Sequence, residues 1–258
     1  MKDILLEWSR HYLPLYNQLS EKYHTPFYNQ SPLNEIDEPI QHLFIGINPA
    51  GQPGSGITLM TPEEFLKGNP CWEDRFVNGI CKWKYNIGAR FFMGYDKSRH
   101  PDTIDNDQKV VWTNLSPFVS AKGFKDLPAE LRTVGIQSLI ALIKILRPQS
   151  IVLLGGSACQ LLDQNLPIEE KKNFTHQKVF SNQPFEIGRL YNIPVVYTCH
   201  PSQRWSVKGS HYFIPMLIHL HQLIDTVDNG NPTRTLQQVV DTIRQELHTW
   251  NQEVSTEL

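Results

Sequence analysis

Four short apolar segments recur along the chain, each followed by polar residues or glycine. They are HLFIGI (42–47), KVVWTN (109–114), SIVLLGG (150–156) and IPVVYT (193–198). Short and continuously apolar segments are typical of parallel strands that are buried on both faces of a sheet. The pattern therefore predicts four central strands.

Between the second and third of these segments, residues 126–148 have the periodicity of a helix. Asp126 is suited to cap it, Pro128 fits its first turn, and Pro148 follows its end. The apolar residues that share one face are Leu131, Val134, Leu139, Leu142 and Leu146. A strand, a helix and a strand in this order predict a sheet that is at least partly parallel, and hence an α/β fold.

Helical patterns also flank the predicted sheet. Residues 4–23 predict one helix, or two short helices broken near Pro14. Residues 211–227 predict a helix that covers the sheet, and the break at 228–232 precedes a last amphipathic helix at 233–251. Its stripe consists of Leu236, Val239, Val240, Ile243, Leu247 and Trp250. This last helix either docks on the body of the protein or contacts a partner protein.

These patterns suggest one domain over residues 1–227, with its core at 42–225 and a helical N-terminal extension at 1–40. Residues 228–258 form a linker and the C-terminal amphipathic helix. A length of 258 residues with 40% hydrophobic residues suits this arrangement and argues against disorder.

The charge and the apolar runs exclude some classes of function. A net charge of −2 argues against non-specific coating of nucleic acid, although it allows a local basic face. No apolar run reaches the roughly 18 residues that a membrane helix needs. Because Asp3, Glu7 and Arg10 interrupt the N-terminal apolar residues, this stretch does not resemble a signal peptide. We expect a cytoplasmic protein with no membrane association.

The cysteines give no short metal-binding spacing. Cys71, Cys81, Cys159 and Cys199 form no C-x-x-C pair, which zinc and iron–sulfur sites usually contain. The sequence therefore predicts reduced thiols that lie mostly in the core, with no metal and no cofactor.

Polar residues follow each predicted strand. Asn48 comes after the first strand, Asn114 ends the second, GGSACQ (155–160) follows the third, and CHPSQRW (199–205) follows the fourth. Any one of these alone is ordinarily a turn former or a surface residue. Because ligands bind at the carboxyl ends of parallel strands, four such polar ends predict a site at that edge.

The residue types at this edge limit the chemistry. The chain shows no carboxylate pair of the glycosidase type, no G-x-S-x-G elbow and no G-x-x-x-x-G-K-[ST] phosphate loop. What remains is hydrogen bonding by amides, an imidazole and the backbone, which suits a planar heterocycle and charge developing on it. Serines at helix starts suit phosphate groups, and QRW (203–205) offers a cation and a wedge for a base stack.

These motifs resemble the uracil-DNA glycosylase superfamily. GINPAG (46–51) is similar to the first motif of its mismatch-specific and single-strand-selective monofunctional branches, and HPSQRW (200–205) is similar to the second motif. TNLSPF (113–118) and GARFF (88–92) resemble stretches of the single-strand-selective branch, and LLGGSACQ (153–160) resembles a Gly-Ser turn of the commonest uracil glycosylases. The resemblance implies a three-layer α/β/α fold with a central, mainly parallel four-stranded sheet.

The resemblance also implies roles for individual residues. Asn48 would position the attacking water, His200 would donate a hydrogen bond to uracil O2 as the base leaves, and Asn114 would read the edge of the base. The pocket would be lined by Gly46, Ile47, Pro49, Ala50, Met60 and Phe91. The DNA contacts would come from Gly51, Gln52, Ser157, Ser202, Gln203, Arg204 and Trp205.

Four positions depart from the family pattern. Asn48 stands where the fastest members have aspartate, Ala50 replaces the usual glycine, and Gln203 replaces the usual proline. Gln52 occupies the place of the aromatic residue that stacks on the base in the single-strand-selective branch. The candidates for a substitute are Met60, Phe65, Phe91 and Phe92, for each of which the simpler interpretation is core packing.

We therefore expect a monofunctional DNA glycosylase in base excision repair, which hydrolyses the N-glycosidic bond of a flipped base and leaves an abasic site. Uracil, a related base and a modified base remain alternatives for its substrate. A catalytically weak or inactive DNA- or nucleotide-binding protein of the same fold is the alternative function. DNA is the expected partner, single- or double-stranded.

Overall fold

The computed structural model describes residues 1–29, 31–34, 36–49, 59–68, 76–77, 80–81, 110–155, 157–179, 186–198, 237–242 and 244–245. These residues form an α/β fold in which helices surround a mixed, mostly parallel sheet. The helices are α1 (Lys2–Tyr23), α2 (Pro62–Leu66), α3 (Ala129–Leu146), α4 (Ala158–Asn165) and α5 (Ile168–Lys171), with a 3-10 turn at Phe124–Asp126. The strands are β1 (His42–Gly46), β2 (Phe76–Val77), β3 (Ile80–Cys81), β4 (Val110–Asn114), β5 (Ser150–Leu154), β6 (Phe174–Lys178), β7 (Glu186–Leu190) and β8 (Ile193–Thr198).

The four predicted strands are confirmed as β1, β4, β5 and β8, and all their mutual pairings are parallel. The prediction of a four-stranded sheet was wrong, because the described residues already form a sheet of six strands in the order β4-β1-β5-β8-β7-β6. The two additional strands, β6 and β7, pair antiparallel beside β8. A separate antiparallel pair joins β2 to β3.

Helix α1 is continuous over Lys2–Tyr23. Of the two alternatives that the sequence left open, the single helix is confirmed and the break near Pro14 was wrong. Pro14 lies inside the helix on its exposed side. A proline has no backbone N–H to donate to the carbonyl four residues earlier, which here belongs to Arg10. Because Arg10 is exposed, water can bond to that carbonyl instead. The opposite face buries Leu5, Leu13 and Tyr16, and this packing holds the helix together.

Helix α3 begins two residues later than the pattern indicated, with its N-cap at Pro128 and not at Asp126. Asp126 does not cap it but belongs to the preceding 3-10 turn. Pro128 occupies the N-cap position, where its fixed φ leads the chain into the helix. The helix ends at Leu146, before Pro148 as predicted, with Arg147 in the left-handed conformation at φ 46°.

An aromatic cluster joins the N-terminal helix to the rest of the core. The ring of Tyr16 contacts those of Phe27, Phe65 and Phe118 at centroid distances of 5.4, 5.7 and 5.5 Å. Trp8 packs on Phe65 and donates its indole N–H to the carbonyl of Ser138 in α3 at 3.1 Å. Residues 1–29 are therefore an integral part of the hydrophobic core.

The described part of the C-terminal helix contacts the outer strand of the sheet. Val239 and Val240 are buried. The Arg244 guanidinium donates to the carbonyl of Val179 at 2.6 Å, and Gln237 hydrogen-bonds Gln177 of β6. These contacts favour docking on the body over the alternative of a free partner-binding helix. The predicted helix 211–227 lies outside the described residues.

Among the helices that the structure describes, none has the length and apolar character needed to cross a membrane.

Candidate functional site

The carboxyl ends of the four parallel strands lie along one edge of the sheet. Gly46 at the end of β1 is the Cα partner of Asn114 at the end of β4. Leu154 at the end of β5 is likewise the partner of Thr198 at the end of β8. Neighbouring strands lie about 4.8 Å apart, so the loops that follow these strands begin side by side.

Asn48 lies in the loop that follows β1, two residues beyond the strand. Its side chain is half-buried, and its amide N–H donates to the carbonyl of Pro49 at 3.0 Å. The same carbonyl accepts the backbone N–H of Ser120 at 3.2 Å. The Pro49 oxygen thus ties the loop after β1 to the loop after β4 and orients the amide of Asn48.

Asn114 is half-buried at the last position of β4. The loop that follows it is held by hydrogen bonds to β1 and α3. The backbone N–H of Leu115 donates to the carbonyl of Gly46 at 2.8 Å. The buried Ser116 hydroxyl donates to the carbonyl of Leu131 in α3 at 3.2 Å. Gly135 of the same helix makes room for this contact, because a Cβ there would lie 2.7 Å from the Ser116 oxygen.

Residues 25–29 and Ser31 cover the outer side of β4 and its loop. Val119 donates its backbone N–H to Pro26 at 2.9 Å, and Tyr28 donates to Pro117 at 3.2 Å. The Ser31 hydroxyl accepts the backbone N–H of Trp112 at 2.8 Å. The edge strand that carries Asn114 is therefore held by the N-terminal segment, which places the polar strand end in a rigid setting.

The turn after β5 approaches the loop after β1. Gly155 has φ +112°, a conformation that side-chain-bearing residues rarely adopt, and a Cβ there would lie 2.9 Å from Ile47 Cδ1. Ser157 is half-buried at the N-cap of α4, and its hydroxyl makes no capping hydrogen bond to its own helix. The structure thus brings Gly46, Ile47, Asn48, Asn114 and Ser157 to one edge of the sheet.

Two of the candidates for a group that stacks on a base are described. Phe65 is buried in the aromatic cluster with Trp8, Tyr16 and Phe27, so the core-packing interpretation is correct for it. Met60 is half-buried against the core, and its carbonyl accepts the Asn17 side-chain amide at 3.3 Å. It immediately precedes Thr61, the N-cap of α2.

The remaining candidate residues lie outside the described residues. They are Ala50, Gly51, Gln52, Phe91, Phe92, His200, Ser202, Gln203, Arg204 and Trp205. The roles given to them stay predictions from the sequence.

No family model matches the chain, and no curated protein matches it. The assignment of a function therefore depends on the residues at the sheet edge and on the motifs that contain them.

Proposed function

We propose that this protein is a monofunctional DNA glycosylase that hydrolyses the N-glycosidic bond of uracil or a related base flipped out of DNA. The observation that carries the proposal is the pairing of Gly46 with Asn114, which sets two asparagines of the motifs at neighbouring strand ends. The proposal also rests on the resemblance of GINPAG and HPSQRW to the glycosylase motifs.

The described contacts suit the role proposed for Asn48. Its amide N–H is engaged by the Pro49 carbonyl at 3.0 Å, and this bond restricts the rotation of the side chain. A side chain held in this way can present its own carbonyl oxygen to a water molecule beside the sugar. Fixing the attacking water lowers the barrier by removing an entropy cost at the moment of reaction.

Asn114 is proposed to recognise the base. An amide offers both a donor and an acceptor, which is the combination that the edge of a uracil ring requires. The support from Leu131 and Gly135 through Ser116 holds the loop that begins at Asn114, so the recognition is preorganised.

Charge separation accompanies the bond cleavage, because the sugar becomes positive as the base leaves with a negative charge. A donor aimed at the base oxygen stabilises this charge, and we assign that donor to His200. One such donor typically contributes about 3–4 kcal/mol to the transition state. Water then adds to the sugar carbon, the base takes up a proton, and an abasic site remains.

The proposal is tested by incubating the full chain with single-stranded uracil-containing DNA and with U·G and U·A duplexes, and then cleaving abasic sites with alkali. We expect base release that falls by about 100-fold or more in Asn48→Ala and in His200→Ala. Asn173→Ala is the matched control, because Asn173 precedes β6 at the opposite edge of the sheet and should keep the wild-type rate.

The outcomes separate the competing functions. Salt-sensitive DNA binding without release of uracil or of any base in a panel of modified oligonucleotides would support the alternative of an inactive DNA-binding protein. Release of a modified base alone would keep the reaction and change the substrate. Wild-type rates in both Asn48→Ala and His200→Ala would contradict the catalytic assignment.

A further inference from the structure

A cysteine, a histidine and a glutamate from three elements meet beside the sheet. Cys159 lies in the first turn of α4, His176 in β6 and Glu186 at the start of β7. The Cys159 sulfur, one imidazole nitrogen and one carboxylate oxygen all lie within 4.8 Å of one another. The imidazole Nδ1 of His176 is 2.6 Å from Oε2 of Glu186.

Strand pairing preorganises two of the three groups. His176 is the Cα partner of Gly188 across β6 and β7, so Glu186, two residues from Gly188, lies on the same face as His176. Gly188 itself allows the strands to approach, since a Cβ there would lie 2.9 Å from the Cα of His176. Helix α4 supplies the third group, the thiol of Cys159.

The cluster is mostly buried, and charges of both signs lie near it. The hydrogen bond from His176 lowers the pKa of Glu186, and the positive charge of Lys178 lowers it further. Cys159 is 1% exposed and Glu186 is 9% exposed. Burial raises the pKa of the Cys159 thiol far above its usual range, and the negative charges of Glu186 and Asp163 raise it further. Asp163 lies one turn along α4 from Cys159 and also raises the pKa of His176, although the hydrogen bond to Glu186 is the larger cause.

We propose that Cys159, His176 and Glu186 bind a zinc ion through Sγ, an imidazole nitrogen and a carboxylate oxygen. Thiolate, imidazole and carboxylate are the ligands that zinc takes in proteins, and three of them leave one coordination position for water. A thiolate and a carboxylate together balance the two positive charges of the ion, which offsets the cost of burying them. This inference does not depend on the glycosylase proposal.

The geometry needs only a local adjustment. Zinc bonds of about 2.0–2.3 Å in a tetrahedron set ligand atoms roughly 3.3–3.8 Å apart. The three atoms already lie within 4.8 Å of one another, so side-chain shifts on the order of 1 Å reach these distances, and the 2.6 Å hydrogen bond between His176 and Glu186 opens. Two bonds to the metal then replace that hydrogen bond. Hard cations such as magnesium prefer oxygen ligands and are disfavoured by the thiolate.

Binding must release protons. The Cys159 thiol loses one proton, and His176 loses a second wherever the raised pKa keeps the imidazole protonated. Where both protons are displaced, affinity should rise by about 100-fold for each pH unit. Below the pKa of His176 the ion pair with Glu186 competes with the metal, so acid weakens binding.

The test uses the full chain, treated with a chelator and titrated with Co²⁺ as a spectroscopic probe. We expect one equivalent to bind with the thiolate-to-cobalt charge-transfer absorption and the intense visible bands of tetrahedral cobalt, and Zn²⁺ to displace it. Cys159→Ser should abolish the charge-transfer band. His176→Gln and Glu186→Gln should each weaken the affinity by at least about 100-fold, since even residues that merely orient metal ligands contribute 10- to 100-fold.

The other cysteines supply the matched controls. Cys71→Ser and Cys81→Ser should keep the band, and circular dichroism should show that each variant is folded. If Cys159→Ser fails to fold, His176→Gln and Glu186→Gln decide the question. The proposal is overturned if the wild-type chain gives no tetrahedral cobalt spectrum, if the band survives in Cys159→Ser, or if both glutamine variants bind like the wild type.

Discussion

At the scale of single residues, the turn after β5 depends on the absence of a side chain. Gly155 combines φ +112° with a closest approach of 2.9 Å between its missing Cβ and Ile47 Cδ1. Ile47 directly precedes Asn48 in the loop after β1. A side chain at position 155 would therefore disturb the backbone that positions Asn48.

Gly155→Ala should lower the free energy of unfolding in urea by about 2–4 kcal/mol, because backbone strain of roughly 1–3 kcal/mol adds to the overlap with Ile47. Gly123→Ala is the matched control. Gly123 has a similar φ of +116°, but a Cβ there would meet nothing within 4 Å, so only the backbone cost should be measured.

A double-mutant cycle separates the backbone strain at position 155 from the overlap with Ile47. Ile47→Val removes the Cδ1 atom, so Gly155→Ala should be less destabilising in that background by about 0.5–1 kcal/mol. Equal effects of Gly155→Ala in both backgrounds would mean that the overlap with Cδ1 of Ile47 contributes nothing.

The residue scale also shows how far the sequence locates the candidate site. Asn48 and Ser157 were predicted to follow strands and Asn114 to end one, and the parallel pairing places the ends of these three strands at the same edge of the sheet. The roles of the three residues stay predictions. The sequence did not predict that Cys159, His176 and Glu186 lie close to one another. The residues are 17 and 10 positions apart, and the two strands that bring them together have no strong sequence signal.

At the scale of elements, the contact between α3 and the loop after β4 reverses an ordinary rule. Replacing a glycine inside a helix by alanine usually stabilises a protein by about 0.5–1 kcal/mol. Gly135 lies in α3, where a Cβ would approach Ser116 Oγ to 2.7 Å and the Ser116 Cα to 2.8 Å.

We therefore expect Gly135→Ala to destabilise the protein by about 1–3 kcal/mol, as overpacking of a filled core does. Chemical denaturation gives the sign directly. Thr133→Ala is the control in the same helix, because Thr133 is exposed and the change should be neutral or slightly stabilising. A gain in stability for Gly135→Ala would show that Ser116 and its loop can move away from the added methyl group without a loss of free energy.

Elements were predicted best where local sequence determines them. The central strands are apolar at almost every position, so their assignment does not depend on register. Strand β6 has the sequence FTHQK, of which only Phe174 is buried, and β7 contains Gly188. β7 pairs with β8, and β6 pairs in turn with β7, so both form strands through pairing within the sheet. This is a tertiary effect that local propensity does not reveal.

The continuity of α1 depends on tertiary packing in the same way. From sequence, Pro14 was weighed as a break, whereas the apolar face around it is buried against α2 and α3. Packing of that face outweighs the local cost of a proline whose ring faces water.

At the scale of the whole molecule, the described C-terminal segment (residues 237–242 and 244–245) packs against the end of β6. Val240 is fully buried, and Arg244 bonds to the backbone of Val179 just beyond the strand. The burial of Val240 and the bond from Arg244 therefore contribute to the stability of the fold.

Val240→Asp should lower the free energy of unfolding by about 3 kcal/mol or more, because it places an unpaired charge in the core. Gln238→Asp adds the same acid at an exposed position two residues earlier and should change stability by less than about 0.5 kcal/mol. Light scattering should show self-association of Val240→Asp. If Val240→Asp unfolds like the wild type, the segment detaches freely and is available to a partner.

The strand order has a consequence for the synthesis of the chain. His42 of β1 pairs with Val110 and with Ser150, which follow it by 68 and 108 residues (110 − 42 and 150 − 42). At roughly 5–20 residues per second, a ribosome needs about 5–20 s to supply both neighbours of β1. During that interval the apolar strand β1 lacks at least one of its two neighbours. The β6–β7–β8 meander instead pairs between residues close in sequence, so it can form almost as soon as it is made.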